Sequence, residues 1–430
     1  MTHSISRREL LKLGGASLAA PLLISANAAA HAASPSAKVV VGVMGMGGRG
    51  TTLATGLAAI NNVEVAYVCD VDSQRMASAA EAVGQVQKNR PRQVGDFRQM
   101  LDDPAVDAIV IATADHWHAP AAILACAAGK HVYVEKPCSH NAREGEMLVA
   151  AAARYKRLVQ HGTQRRSYEA VREAMERLRE GAIGRVYYSR AWMAANRPSI
   201  GRGKPTTPPD WLNYDLWQGP APRLPYRDNV VHYNWHWFWH WGTGEIGNHG
   251  IHRLDICRLG LDVDFPTRVS SAGGRFHYED DQETPDVHIV AFDFDGGKTL
   301  VWENLSSNRY GPDSTSDGIT FHGDRGTLVI HGASYAIYDQ DNNELANVRG
   351  RGGPGADHLA NFVAAIRGES TLHAPIDEGH KSTLLCHLGN IAYRRQRSLT
   401  CDPSNGRILG DDEAEGFWGR EYESGWEPAV

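Results

Sequence analysis

The stretch "KVVVGVMGMGGRG", Lys38 to Gly50, decides how the rest of the chain reads. "VVVGVM" is a short apolar run rich in β-branched residues, which predicts a buried strand. It ends at Gly45, and Gly45, Gly47 and Gly50 fall in G-x-G-x-x-G spacing ahead of the helically spaced "GTTLATGLAAI". There Gly45 allows a tight turn, Gly47 lets the backbone approach a pyrophosphate, and Gly50 allows close helix–strand packing. Met46, Gly48 and Arg49 complete the cradle, and the helix N-terminus faces the phosphates. In a chain with 44 glycines the motif alone is weak. Asp70 strengthens it, because it ends the next apolar run, "VEVAYVCD", twenty residues after Gly50. A carboxylate there accepts hydrogen bonds from an adenosine ribose and repels a 2′-phosphate, so NAD is expected. Arg75 is near enough to keep NADP possible.

Outward from this stretch the alternation continues. "DSQRMASAAEAVG" reads as a helix, "VDAIVIAT" as a strand, "APAAILACAAG" as a helix and "KHVYVEKP" as a strand. "REGEMLVAAAARY" and "RLVQHG" follow as helix and strand. Fully apolar strands alternating with helices predict a parallel sheet covered on both faces, a Rossmann domain over residues 38–162. Beyond a charged helix, "YEAVREAMERLREG", the texture changes to longer runs such as "GRVYYSRAWMAA", "DVHIVAFDFDG" and "KTLVWENL", joined by Gly and Asp turns. Residues 163–430 therefore read as an α+β domain with a large, mostly antiparallel open sheet. The overall class is α/β. A Pro/Gly-rich loop, roughly Asn196 to His232, interrupts the strands, and loops that long are usually functional or disordered. Helices return at "DHLANFVAAIRG" and "HKSTLLCHLGNIAYRR".

Residues 1–37 read as a twin-arginine export signal with a linker. Arg7 and Arg8 precede a short apolar stretch diluted by Gly14, Gly15 and Pro21, and "ANA" and "AAA" offer small-residue cleavage sites. That route carries folded proteins, so a cofactor would be loaded in the cytoplasm and the protein delivered to the periplasm or beyond. The translocase is the expected partner in export. The formal charge is −6, and removing the leader's three positive charges and one negative charge leaves −8. An acidic chain is a poor match for nucleic acid, and no later segment is apolar enough to cross a membrane. Six widely spaced cysteines include no C-x-x-C pair and read as small buried residues.

"VYVEKPCSH" places Lys136 just past a strand end, where ligands bind in open parallel sheets, with Glu135 beside it. A lysine there can stabilise a developing alkoxide or relay a proton. "EKP", together with "ATADHWHA" (Ala112–Ala119), "GNHGIHRLD" (Gly247–Asp255) and the "DPSNGRILGDDEA" tail, resembles the glucose–fructose oxidoreductase/inositol dehydrogenase (Gfo/Idh/MocA) family, and most of all its exported twin-arginine branch. The resemblance covers nearly the whole chain after the leader. It implies a bound nicotinamide cofactor and a sugar, cyclitol or polyol substrate. It also implies a catalytic lysine acting with a D-x-x-x-H pair. Lys136 matches the lysine and His252 the histidine, whereas Asn248 stands where the family has aspartate. Asn carries no charge, so Asp255 or Glu245 is a candidate for supplying it. The expectation is that His252 accepts the proton from a sugar hydroxyl with Lys136 assisting, and that His249 and His240 stand in reserve. By the same resemblance Thr113, Trp117 and His118 lie along the cofactor, although Trp117 is equally readable as packing.

"NWHWFWHWGTG" crowds five aromatics and two histidines into Trp235 to Trp241. Trp rings stack on pyranose C–H faces and histidines bond hydroxyls. Trp235, His236 and His240 are therefore substrate candidates, as are Arg165 and Arg166 at the domain junction. The spacings of His236 with His240 and of His249 with His252 would also suit a metal, but nicotinamide chemistry needs none and no metal is expected. The leading expectation is an exported NAD(P)-dependent oxidoreductase acting on a sugar, glycoside or polyol hydroxyl, with a tightly held and recycled cofactor. One alternative is an NAD-dependent glycoside-cleaving enzyme that passes through a 3-keto intermediate, as some family members do. Another is a non-catalytic sugar-binding protein. The open sheet suggests a homo-oligomer.

Overall fold

The computed structural model describes residues 38–351, 353 and 355–430. The segment expected to be an export signal, residues 1–37, lies outside the described residues. The first sheet comprises β1 (Val39–Met44), β2 (Val63–Cys69), β3 (Arg92–Val94), β4 (Ala108–Ile111), β5 (His131–Val134) and β6 (Val159–His161). Its order is β3-β2-β1-β4-β5-β6, and every pairing is parallel. The intervening helices are α1 (Gly48–Ala58), α2 (Ser73–Gln87), α3 (Arg98–Leu101), α4 (Asp115–Ala127) and α5 (Ala142–Tyr155). All four β4 residues are buried, as expected of a strand covered on both faces. Strand order reverses between β1 and β4, which opens a crevice at their carboxyl ends.

The second unit adds α6 (Glu169–Arg179), β7 (Val186–Ala194), α7 (Tyr214–Gln218), α8 (Ile251–Leu261), β8 (Arg268–Gly274), β9 (Val287–Phe294), β10 (Lys298–Leu305), β11 (Asp317–Gly323), β12 (Gly326–His331), β13 (Ser334–Tyr338) and β14 (Glu344–Val348). It continues with α9 (Ala356–Ile366), α10 (Ile376–Arg395), β15 (Leu399–Thr400) and α11 (Asp412–Glu415). The sheet has nine strands, β14-β13-β12-β11-β7-β10-β9-β8-β15. Only β7 and β10 pair in parallel. Along β9, His288, Val290, Phe292 and Phe294 are buried while Ile289 is exposed, so one face carries the core. Phe292, Trp302 and Phe321 form that core with Leu254 of α8 and Leu384 and Leu388 of α10.

Two features depart from a simple division at residue 162. Helix α9 is far along the chain, yet its Leu359, Phe362 and Val363 share a core with Val41, Leu53, Leu57 and Tyr133 of the first unit. The apolar face that α1 turns away from its sheet is covered by this returning segment. The long loop is ordered around α7, with Tyr214, Trp217 and Tyr226 buried against Trp235 and Trp241. All six cysteines are buried and unpaired. Among the described residues no helix is long and apolar enough to cross a membrane.

Candidate active site

A cavity of about 550 Å³ runs from the glycine turn to the start of α8. At its first end Gly45 sits at φ +89°, and a Cβ there would lie 2.6 Å from the Ala112 carbonyl oxygen. A Cβ on Gly50 would lie 1.7 Å from the Gly45 carbonyl oxygen, whereas one on Gly48 meets nothing within 4 Å. The turn is thus closed toward the sheet and open toward the cavity, the shape a pyrophosphate requires. Asp70 ends β2, accepts from the Asp72 amide at 2.8 Å and from the Met46 amide, and borders the cavity. Burial pushes its carboxyl up, and those two amides oppose the shift. Arg75 also borders the cavity, 3.7 Å from Asp72. These residues fit a dinucleotide, with a carboxylate at the ribose position and a guanidinium beside it.

At the other end, Lys136 Nζ donates to the Asn248 carbonyl oxygen at 2.8 Å and to Asn248 Oδ1 at 3.1 Å. Asn248 lies in a π-helical turn, Ile246–Gly250, that runs directly into α8. Such turns recur at functional sites because the extra residue re-aims side chains. Here it brings Asn248, His249 and His252 to one cavity wall. Asn248 Nδ2 and His252 Nδ1 are buried and have no partner among the described residues. Burial pushes His252 well below the ordinary histidine range, and Lys136, Arg165 and Arg253 reinforce the shift. The shift favours the neutral ring, the state a proton acceptor needs. Burial also lowers the Lys136 ammonium, while Glu135, Asp115 and Glu245 pull it back up.

Of Glu245 and Asp255, Glu245 is the one whose charge acts on Lys136, after Glu135 and Asp115. Asp255 does not border the cavity; it accepts two 2.7 Å bonds from Arg166 and one from Ser382 at 2.7 Å. Residues three apart on a helix share a face only roughly, and the paired guanidinium holds Asp255 away from the cavity. Arg166 is therefore a structural ion-pair partner and does not border the cavity. Arg165 is paired with Asp317 at 3.0 Å and acts on His252 only through its charge. Arg253 joins the same carboxylate at 2.6 Å.

Trp235 and His236 border the cavity with their rings stacked at 3.6 Å. His240 does not; it lies 2.8 Å from the Pro222 carbonyl oxygen and borders a second cavity. The four histidines considered for a metal thus fail to converge, and no cluster of three or more ligating side chains occurs among the described residues. Trp117 lines the cavity but is held as packing, with its Nε1 donating to the Trp217 carbonyl at 3.0 Å and its ring edge-on to Phe97. His118 bridges the carbonyls of Pro137 (2.6 Å) and Thr113 (3.1 Å), tying the two strand-end turns together. Thr113 borders the cavity. Glu135 is buried and ion-paired with Arg49 at 2.6 Å.

The structure adds two features beyond these candidates. Asp115, buried at the start of α4, borders the cavity and accepts from Thr243 Oγ1 at 2.6 Å. His249 Nδ1 lies 2.6 Å from Glu245 Oε1, and Arg197 pairs with that carboxylate at 2.9 Å. Burial raises the Glu245 carboxyl, but His249 and Arg197 overcome it and hold it at about 2. Asp115 sits inside the quoted "ATADHWHA" and was within reach of a strand-end reading. Arg197 comes from the long loop, where no local pattern marks it.

Residues 39–163 match the NAD-binding Rossmann fold of the oxidoreductase family Gfo/Idh/MocA, and residues 201–427 match its C-terminal alpha/beta domain. Among solved structures, levoglucosan dehydrogenase in complex with NADH and levoglucosan superposes with a TM-score of 0.67 at 18% identity, over 84% of this chain and 99% of that one. The WlbA dehydrogenase from Bordetella pertussis, in complex with NADH and UDP-GlcNAcA, gives 0.65 at 19% identity over 85% and 99%. At such identity these likenesses establish the fold alone. Curated relatives include an alpha-N-acetylgalactosaminidase from Shewanella oneidensis, 30% identical over 175 residues. A glycosyl hydrolase family 109 protein from Shewanella sp. (strain ANA-3) is 31% identical over the same length. The match spans 35% of this chain and only 38% of each relative. The two domain matches together establish that this chain belongs to the Gfo/Idh/MocA oxidoreductase family.

Proposed function

We propose that this protein oxidises a carbinol C–H of a sugar, glycoside or polyol with a tightly held NAD, and that it is exported already folded and loaded. NADP is the secondary cofactor. The observation that carries the reading is the convergence of a tethered Lys136 and a buried His252, its Nδ1 without a partner among the described residues, on one cavity that also holds a dinucleotide cradle. When bound, the dinucleotide supplies the hydride acceptor. His252 takes the hydroxyl proton as the carbonyl forms. Lys136, with two of its donors held by Asn248, turns the third toward the same oxygen and stabilises its developing negative charge. Asn248 Nδ2 positions a neighbouring hydroxyl, and Trp235 and His236 receive the ring. The cavity's mixed aromatic and polar wall suits a carbohydrate.

The partial similarity to the glycosidases favours a second reading, in which oxidation at C3 acidifies the C2 proton and permits elimination of the leaving group. That route needs an acid–base group besides the redox pair, and His249 backed by Glu245 and Arg197 is suitably placed. The deciding experiment is denaturation of the purified exported protein, with mass spectrometry of the released nucleotide, followed by incubation with sugars and glycosides. Near-stoichiometric NAD and a keto sugar support the oxidoreductase. A released aglycone without net redox supports the cleaving route. An empty protein that cannot be reloaded and gives neither product refutes both.

A further inference from the structure

On the far side of Thr243 from the main cavity lies a second one of about 480 Å³, within the roughly 300–1,000 Å³ typical of small-molecule sites. The Thr243 hydroxyl, bonded to Asp115 at 2.6 Å, stands in the wall between them. This cavity is bordered by Arg394, Arg420, His140, Asn141, Trp239 and Phe417, among others. Its chemistry is one-sided. Arg394 lies over the rings of Phe417 at 4.1 Å and Trp239 at 5.1 Å, with no hydrogen bond or ion pair among the described residues. Arg420 Nη2 is satisfied by Glu144 at 2.8 Å and the His116 carbonyl at 2.7 Å. Its Nε and Nη1 are buried donors without partners, as is Asn141 Nδ2, and the His140 ring adds one more unpartnered donor and one unpartnered acceptor nitrogen.

The nearby acids do not balance these donors. Glu144 is engaged by Arg420, by Tyr422 at 3.0 Å and by the His140 amide at 2.9 Å. Glu283 accepts from the Trp239 amide at 2.7 Å. Glu421 is exposed at the rim. A buried donor without an acceptor carries an uncompensated desolvation cost, so so many in one cavity call for an acceptor-rich ligand. Two guanidiniums, one of them without an ion pair among the described residues and only faced at a distance by Glu283, make that ligand anionic.

We propose that this second cavity binds the carboxylate or phosphate of a monosaccharide-sized molecule, independently of the substrate in the main cavity. Isothermal titration of the full protein with glucuronate, glucose 6-phosphate and neutral glucose tests this and distinguishes the two anion sources. The comparison includes R394Q, N141D and the main-cavity variant K136M. N141D keeps the oxygen that caps α5 through the Glu144 amide and places a negative charge on the wall, so it serves even if R394Q folds poorly. Saturable binding of one anionic probe, at least tenfold weaker in R394Q or N141D and unchanged in K136M, is expected. Binding of neither anion, equal binding of glucose, loss in K136M instead, or indifference to both wall substitutions overturns the proposal.

Discussion

The glycine turn makes a sharp prediction because the same methyl group has opposite consequences two residues apart. In Gly50→Ala the new Cβ falls 1.7 Å from the Gly45 carbonyl oxygen and 2.9 Å from its carbon. A relaxed carbon–oxygen approach is roughly 3.3 Å, so turn and helix must separate by about 1.6 Å. Both neighbours are backbone, and no side chain can rotate away. Overpacking of this kind costs about 1–3 kcal/mol, and each 1.4 kcal/mol is about a factor of ten in affinity. If the displacement falls on the phosphate cradle, NADH binds roughly 5- to 150-fold more weakly, and melting falls with it. Gly48→Ala places its Cβ in open space at a φ outside the left-handed region, so stability changes by no more than about 0.5 kcal/mol. The assay is NADH titration by tryptophan quenching alongside calorimetric melting of both variants. Wild-type binding within twofold and unchanged melting in Gly50→Ala would refute the account of the turn.

Further outcomes follow from the same geometry. His252→Asn should lower turnover by about 10²- to 10⁴-fold with NADH affinity unchanged, measured by rapid mixing with an identified substrate. Asn248→Asp puts a charge where Oδ1 now lies 3.1 Å from Lys136 Nζ. An opposite charge that close raises a pKa by about 1–3 units; it favours the charged forms of Lys136 and His252, so the acid limb of kcat/KM moves to higher pH. Asp70→Asn should narrow the preference for NAD over NADP by about tenfold, the value of a lost charge-assisted bond, measured as the ratio of the two dissociation constants. Burial raises the Glu378 carboxyl, but Arg258 and Lys381 bring it down from about 4.5 to about 2. Its stabilisation is present above pH about 4.5 and is lost as pH falls through about 2. Urea midpoints of wild type and Glu378→Gln should therefore differ at neutral pH and converge in acid.

The first sheet is readable because its central strands β1 and β4 are apolar throughout and its helices carry their own signals, as in Asp72 capping α2 through the Gln74 and Arg75 amides; the short edge strand β3, "RQV", carries no such signal. The second sheet is readable in outline through alternation in β9 and β10. Its short edge strands are not: β14, "ELANV", has no buried residue, and β15 has two residues. Nothing local tells α9 to leave its neighbours in sequence, because its apolar stripe fits either core. That choice is made by the face α1 leaves uncovered.

The site divides along the same line. Gly45 and Asp70, each held by one turn or strand end, follow from spacing, whereas Lys136 and His252 follow from the family resemblance. Asp255 misleads for a reason spacing cannot reveal: its partner Arg166 is 89 residues away in sequence and engages the carboxylate outside the cavity. Arg197, 48 residues before Glu245, is invisible for the same reason. These long-range pairs explain how the site tolerates Asn248. A carboxylate touching Lys136 would hold the lysine firmly charged and would favour protonation of His252 as well. Here the nearest oxygen is neutral, and the compensating carboxylates stand back: Glu135 on Arg49, Asp115 on Thr243, and Glu245 on His249 and Arg197. Lys136 is tethered to neutral oxygens while carboxylates behind it oppose the downward pull of burial, and burial with neighbouring cations favours the unprotonated His252. Under the proposed function, asparagine at position 248 thus favours an unprotonated His252 beside Lys136, the arrangement that proton removal with alkoxide stabilisation would use.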